Sequence, residues 1–223
     1  MAIYLSSIVG SASIGVFTLA TERMVIAPLM ISEAKARKLG EWLQVPFTQT
    51  TIGCSVLIGC LACANSNGII LPHCIRNEEL DAIKSLTDIN IAVMETKKTA
   101  YGNLVLANDK GAIVDPRLKE NEIKTVSETL GVDAVPGEIA DSPYVGVFAV
   151  ATNKGVLVHP LISDEERKRV EEVLKVPVVA GTVNCGLPYV ATGVIGNSRA
   201  AVIGELTTGP EIFIIEEALD LVT

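Results

Sequence analysis

The chain has 223 residues, 49% of them hydrophobic and 4% aromatic, with 18 Lys plus Arg against 26 Asp plus Glu and a net charge of −8. That length guarantees a sizeable core, and the apolar content excludes intrinsic disorder. The acid excess argues against DNA and broad RNA binding, which need Lys and Arg for phosphate contacts.

From the N-terminus, Met1 to Gly10 lacks the basic start of a signal peptide. The longest uncharged apolar run, Ile52 to Ala64, has 13 residues and contains Gly53, Ser55 and Gly59. A bilayer span needs ~20. Five cysteines without regular spacing do not form a secreted disulfide framework. These features point to a cytoplasmic protein without membrane contact.

The dominant pattern is repetition. Pro28, Pro72, Pro116 and Pro160 lie 44 residues apart, and one further step reaches Gly204. Upstream of each, a polar turn stands between apolar runs: Thr21 to Met24, Asn65 to Gly68, Asn108 to Gly111, Thr152 to Gly155 and Asn197 to Ala200. Asn or Thr followed three residues later by Gly predicts a type I turn whose Gly takes positive φ, so each unit is expected to open with a hairpin.

A helix is predicted after each hairpin. Ser163 and Glu166 form a capping box ahead of Val170, Val173 and Leu174, and Thr208 to Glu211 repeats that start before Ile212, Ile215 and Leu219. Leu39, Trp42 and Leu43, and Leu80, Ile83 and Leu86, are the earlier stripes. A short strand follows, as in Val176 to Ala180. No unit of hairpin, helix and strand buries its own faces alone, so five must pack together. A single domain of five repeats is expected, roughly 1–50, 51–97, 98–140, 141–183 and 184–223. An α/β pseudo-fivefold ring with sheets inward and helices outside fits; a linear solenoid competes.

Chemistry is sparse. No phosphate-binding loop occurs, and Thr152 to Gly155 reads as a repeat turn. Cys60 and Cys63, near Cys54, Cys74 and His73, fall in a predicted apolar strand that would aim the two thiols to opposite faces, so buried free thiols are expected and no metal. Cys54 and Cys185 read as packing residues among glycines. His159 shares its register position with Asp115, Leu71 and Ala27, which marks a scaffold site. Glu78, Glu79, Glu165 and Glu211 sit at helix starts, where dipole and capping explain them. Arg167, Lys168 and Arg169 follow three acids on a solvated helix face. No catalytic group or cofactor is assigned, and the chain reads as a non-enzyme with a docking surface.

The runs Val176 to Asn184, Gly193, Asn197 and Gly204 to Thr208 before Glu211 resemble the translation initiation factor 6 family, as do Gly102-Asn103-Leu104, Val156 to Pro160 and Asn65 to Pro72. The resemblance runs nearly end to end. It implies the pentein fold, a five-bladed α/β propeller, and a monomeric factor that binds the large ribosomal subunit at its intersubunit face. Contact there is mainly with a ribosomal protein beside the sarcin-ricin loop, with limited rRNA contact, and it blocks the small subunit. Eukaryotic relatives carry an extra tail, so an end at Thr223 resembles the archaeal form. The register nominates Val16, Cys60, Asn103, Val147 and Thr192 as a contact ring. Eukaryotic relatives often have Arg and Tyr where this chain has Cys60 and Val147. Other penteins use a Cys nucleophile on guanidine groups; the only matching pair here is Cys185 with His159.

Overall fold

The unit of hairpin, helix and strand is present five times, with a one-turn helix added at its front. The computed structural model describes residues 2–86 and 88–221. The first module contains α1 (Ile14–Phe17), the hairpin β2 (Leu19–Ala20) and β3 (Val25–Pro28), α2 (Glu33–Leu43) and β4 (Phe47–Thr50), preceded by β1 (Ile3–Ser6). The second has α3 (Ile58–Leu61), β5 (Cys63–Ala64), β6 (Gly68–Pro72), α4 (Asn77–Leu86) and β7 (Asn90–Met94). The third has α5 (Tyr101–Leu104), β8 (Val105–Ala107), β9 (Ala112–Val114), α6 (Glu120–Leu130) and β10 (Ala134–Pro136). The fourth has α7 (Val145–Phe148), β11 (Ala149–Ala151), β12 (Val156–Val158), α8 (Asp164–Leu174) and β13 (Val178–Ala180). The fifth has α9 (Val190–Gly193), β14 (Val194–Gly196), β15 (Ala201–Gly204) and α10 (Gly209–Ala218).

In the first four modules the strand after the long helix returns parallel to the second hairpin strand, as Val25 pairs with Phe47 and Val156 with Val178. In the fifth that place is taken by β1, with Ile3 opposite Ala201. The two ends of the chain thus share one sheet, through Ala201 N–H to the Ala2 carbonyl (2.8 Å) and Glu205 N–H to the Ser6 carbonyl (2.9 Å). The inner strands β2, β5, β8, β11 and β14 touch in cyclic order, β14 returning to β2. The ring is closed, and the solenoid geometry does not occur.

The long helices lock neighbours together. α2 packs on β15, α4 on β4, α6 on β6 and β7, α8 on β9, and α10 on β12 and β13, so each covers the preceding module's sheet. Buried clusters accordingly mix modules, as where Leu39 and Leu43 meet Ile195 and Val202. The expected helix stripes face inward: Leu39, Leu43, Ile83, Val170, Leu174, Ile215 and Leu219 are buried. Capping boxes start α8 and α10 at Ser163 and Thr208.

One expectation about the turns is overturned. Gly68, Gly111 and Gly155 do not take positive φ. They are small because a Cβ there would overlap the carbonyl oxygens of Thr129, Val173 and Ala218 in the next module. Another concerns Cys60, which lies in α3 while Cys63 lies in β5, so the pair does not share a strand.

Candidate docking face

The hairpin strands define two ends of the ring. At one end lie the polar turns; at the other, the five one-turn helices form a collar around the axis, each touching the next from α1 through α9 and back. Four carry glycine at the contact, because a Cβ on Gly15, Gly59, Gly102 or Gly146 would overlap the carbonyl oxygen of Ala191, Gly15, Gly59 or Gly102 respectively. Backbone therefore rests on backbone at four of the five contacts around the axis.

The five candidate residues follow these contacts directly. Val16, Cys60, Asn103, Val147 and Thr192 are each the third residue of a collar helix, and all are half-buried. Their amides make the same bond, to the carbonyls of Ser13, Leu57, Ala100, Tyr144 and Tyr189. Thr192 also donates its hydroxyl to Tyr189 (2.7 Å). Among the described residues nothing bonds the Asn103 carboxamide, which leaves one uncommitted polar group in the collar.

Outside the collar Leu57, Tyr144 and Tyr189 are exposed, at 40%, 45% and 44%. Tyr144 lies beneath the Arg117 guanidinium, 4.8 Å from its ring centre. Arg117 in turn holds Asp115 at 2.6 Å. Burial alone would raise the Asp115 pKa, but the bonds and charge of Arg117 bring it below the usual range. One module on, His159 occupies the Asp115 position: its Nδ1 accepts the Leu161 amide (3.1 Å), as Asp115 accepts that of Arg117 (2.7 Å). Its ring packs on Phe148 and beside Tyr189. Burial lowers its pKa, which favours the neutral imidazole. Within the collar and strands the axis keeps a void of about 120 Å³ lined in part by Thr18, whose buried hydroxyl has no hydrogen-bond partner among the described residues.

The turn end is cross-linked instead. Asn65 donates to the carbonyls of Asn108 and Leu130, Asn108 to Thr152 and Leu174, and Asn197 to Thr21 and Leu43. Each of these asparagines reaches a neighbouring turn and the last turn of that neighbour's helix.

A family model described as the eIF-6 family matches residues 3–218. The chain is similar to Translation initiation factor 6 of Pyrococcus furiosus, 47% identical over 217 residues, 95% of this chain and 96% of that protein. The same name belongs to relatives in Nitrosopumilus maritimus, 45% identical with 92% and 93% covered, and in Methanocaldococcus jannaschii, 42% identical with 96% of each covered. The chain belongs to the eIF-6 family. The initiation factor 6 resemblance read from the motifs is thereby shown, together with its repeated α/β fold.

In this eIF-6 family member the thiols differ from expectation. Cys54, Cys74 and Cys185 are exposed and Cys60 is half-buried; only Cys63 is buried, and burial pushes its pKa to about 12. Cys54 and Cys185 stand outside because they lie in tight loops at positive φ (62° and 67°). The Cys185 backbone amide donates to Glu211 and His159 Nδ1 accepts the Leu161 amide, and among the described residues no hydrogen bond joins the Cys185 thiol to His159.

Helix-start acids do more than cap. Glu79 accepts the amides of Gly53, Cys54 and Arg76 (each 2.8 Å), and Glu211 those of Cys185 (3.1 Å), Gly186 (2.8 Å) and Thr208 (2.7 Å). Each carboxylate thereby ties a helix to the loop entering its own collar helix. Nothing local in the sequence signalled this, because acid and loop lie about 25 residues apart.

No helix among the described residues is long and apolar enough to cross a membrane.

Proposed function

We propose that the chain acts in translation initiation by binding the large ribosomal subunit through its collar face and sterically preventing small-subunit joining, without catalytic turnover. Family membership and the relatives' name support an initiation role. The observation that carries the docking reading is the collar itself, which carries the uncommitted Asn103 carboxamide and, at the positions just before three of its helices, exposed Leu57, Tyr144 and Tyr189. Aromatic and apolar anchors around a lone polar group suit a protein partner.

The net charge of −8 favours a basic ribosomal protein beside the sarcin-ricin loop and limits contact with rRNA. Such a factor works as a monomer in the cytoplasm. Val16, Cys60, Val147 and Thr192 complete the contact ring. Mixing the protein with purified large and small subunits and separating them on a sucrose gradient tests this reading. The joined-subunit peak should fall as protein is added; a peak unchanged at saturating protein would refute it.

A further inference from the structure

The five modules provide an internal comparison. Each long helix has a residue three positions past its N-cap, namely Lys35, Glu79, Glu122, Glu166 and Glu211, and in modules two, four and five it is a glutamate bonded to the loop entering its collar helix. In modules two, four and five the loop contains consecutive left-handed residues closed by a small antiparallel bridge: Gly53 and Cys54 under Ile52–Ser55, Ala140 and Asp141 under Ile139–Ser142, and Asn184 to Gly186 under Val183–Leu187. Each loop holds a carboxylate. Glu79, Glu166 and Glu211 accept the amides of Cys54 (2.8 Å), Asp141 (3.1 Å) and Gly186 (2.8 Å), and also the N-cap amides of Arg76, Ser163 and Thr208.

The first module has the same loop without the acid. Val9 and Gly10 are left-handed at φ 53° and 73°, and the Ile8–Ser11 bridge closes them. Ser7 stands where Thr51 and Thr182 donate hydroxyls to Glu79 and Glu211. Among the described residues, the amides of Val9, Gly10 and Ser32 find no protein acceptor. The clamp position holds a cation, Lys35. Beside it opens a recess of about 440 Å³ lined by Leu5, Ser6, Ser7, Ala34, Lys35, Lys38, Trp42 and one carboxylate, Glu205. Among the described residues neither lysine forms an ion pair, and Lys38 lies 4.8 Å above the Trp42 ring.

We infer that the first module's loop, with Ser7, Ser32 and Lys35, is a receptor for an acidic side chain of a polypeptide partner, which enters where the sister modules use their own glutamate. A carboxylate matches because the same backbone already binds one in three sister modules, and Lys35 supplies the countercharge. A polypeptide matches because the occupant there is a carboxylate on a methylene stem, and because exposed Leu5 and half-buried Trp42 offer apolar walls that a free ion would leave bare. The site is separate from the contact ring, so its failure would leave the ribosomal reading standing.

The test is a ¹H–¹⁵N NMR titration of the full chain with a hexaglutamate peptide at low salt, and separately with inorganic phosphate. The peptide should shift the Val9, Gly10 and Ser32 amides downfield and saturably, with phosphate far weaker. Lys35→Glu should place these amides near their filled-site shifts without peptide, abolish the response, and raise Tm by about 3 °C. Lys168→Glu, the same charge change at an exposed site on α8, should keep the response. Lys35→Met, which removes the charge without supplying an acid, should weaken binding about threefold. The inference is overturned if these amides do not move, if Lys35→Glu responds like the wild type, or if phosphate alone saturates them at an equal or lower concentration.

Discussion

The two ends of the ring solve closure differently. At the turn end every module passes a side chain to the next: Arg23 to the Ser66 carbonyl, Asn67 to Leu130, Lys110 to Asn153 and Lys175, Lys154 to Asp220, and Arg199 to Leu43. Side-chain donors complete this circle, and four of its five staples bring a cation or amide to the negative end of a helix. At the collar end backbone rests on backbone at four of the five contacts, and the side chains that follow, from Val16 to Thr192, stay half-buried and are not used as cross-links between modules. A surface whose side chains already close the ring has little left for a partner; the collar keeps its apolar groups and one amide uncommitted. Polarity at one end and exposed Leu57, Tyr144 and Tyr189 at the other follow from that division.

The largest effect should come from filling the collar. Gly59→Leu drives a side chain into the Gly15 carbonyl and should cost about 4 kcal/mol or more, read as a collapse of the urea midpoint. A midpoint within error of the wild type would mean that the collar is not close-packed.

Next are the loop clamps. Glu211→Gln replaces a carboxylate that accepts three backbone amides and should cost about 2 kcal/mol at pH 7. Burial alone would raise the Glu211 pKa, but these bonds lower it from 4.5 to about 2. A lowered folded-state value stabilises above the unfolded value and stops doing so as protons bind. Its contribution should therefore be intact above pH 4.5 and disappear as pH falls toward 2. In Glu211→Gln that part of the pH dependence of Tm should be missing.

At the turn end, Asn108→Ala removes two buried bonds, to Thr152 (3.0 Å) and Leu174 (2.9 Å). A stability loss of about 1.5 kcal/mol with unchanged large-subunit binding is expected. The smallest change in stability belongs to Asn103→Arg, whose parent side chain makes no hydrogen bond among the described residues. Its Tm should stay at the wild-type value while large-subunit binding weakens; equal affinity would remove Asn103 from the site.

Much of the module was legible because its signals are local. The 44-residue period, the Ser163–Glu166 box and the apolar stripe of α8 each lie within one stretch of chain. The collar helices were not legible: four residues such as Ile58 to Leu61 are too few to show a helical period, so Cys60 read as strand. The reason for Gly68, Gly111 and Gly155 was hidden because the clashing carbonyls lie about 62 residues ahead. The pairing of β1 with β15 joins opposite ends of the chain, where no hairpin signal exists. The contact-ring positions came from register and resemblance, which places residues without revealing that Asn103 alone among them has an unpaired carboxamide. The substitution of Lys35 at a position otherwise held by glutamate was visible as a letter, but not as a vacant clamp until the sister loops were seen filled.

The most direct test of the proposal that the turn end closes the ring and the collar end docks is a structure of the large ribosomal subunit with this protein bound. Val16, Cys60, Asn103, Val147 and Thr192 should face the subunit, with Arg23, Lys110, Lys154 and Arg199 turned away. Those four cations lying against the ribosome, with the collar open to solvent, would contradict the account.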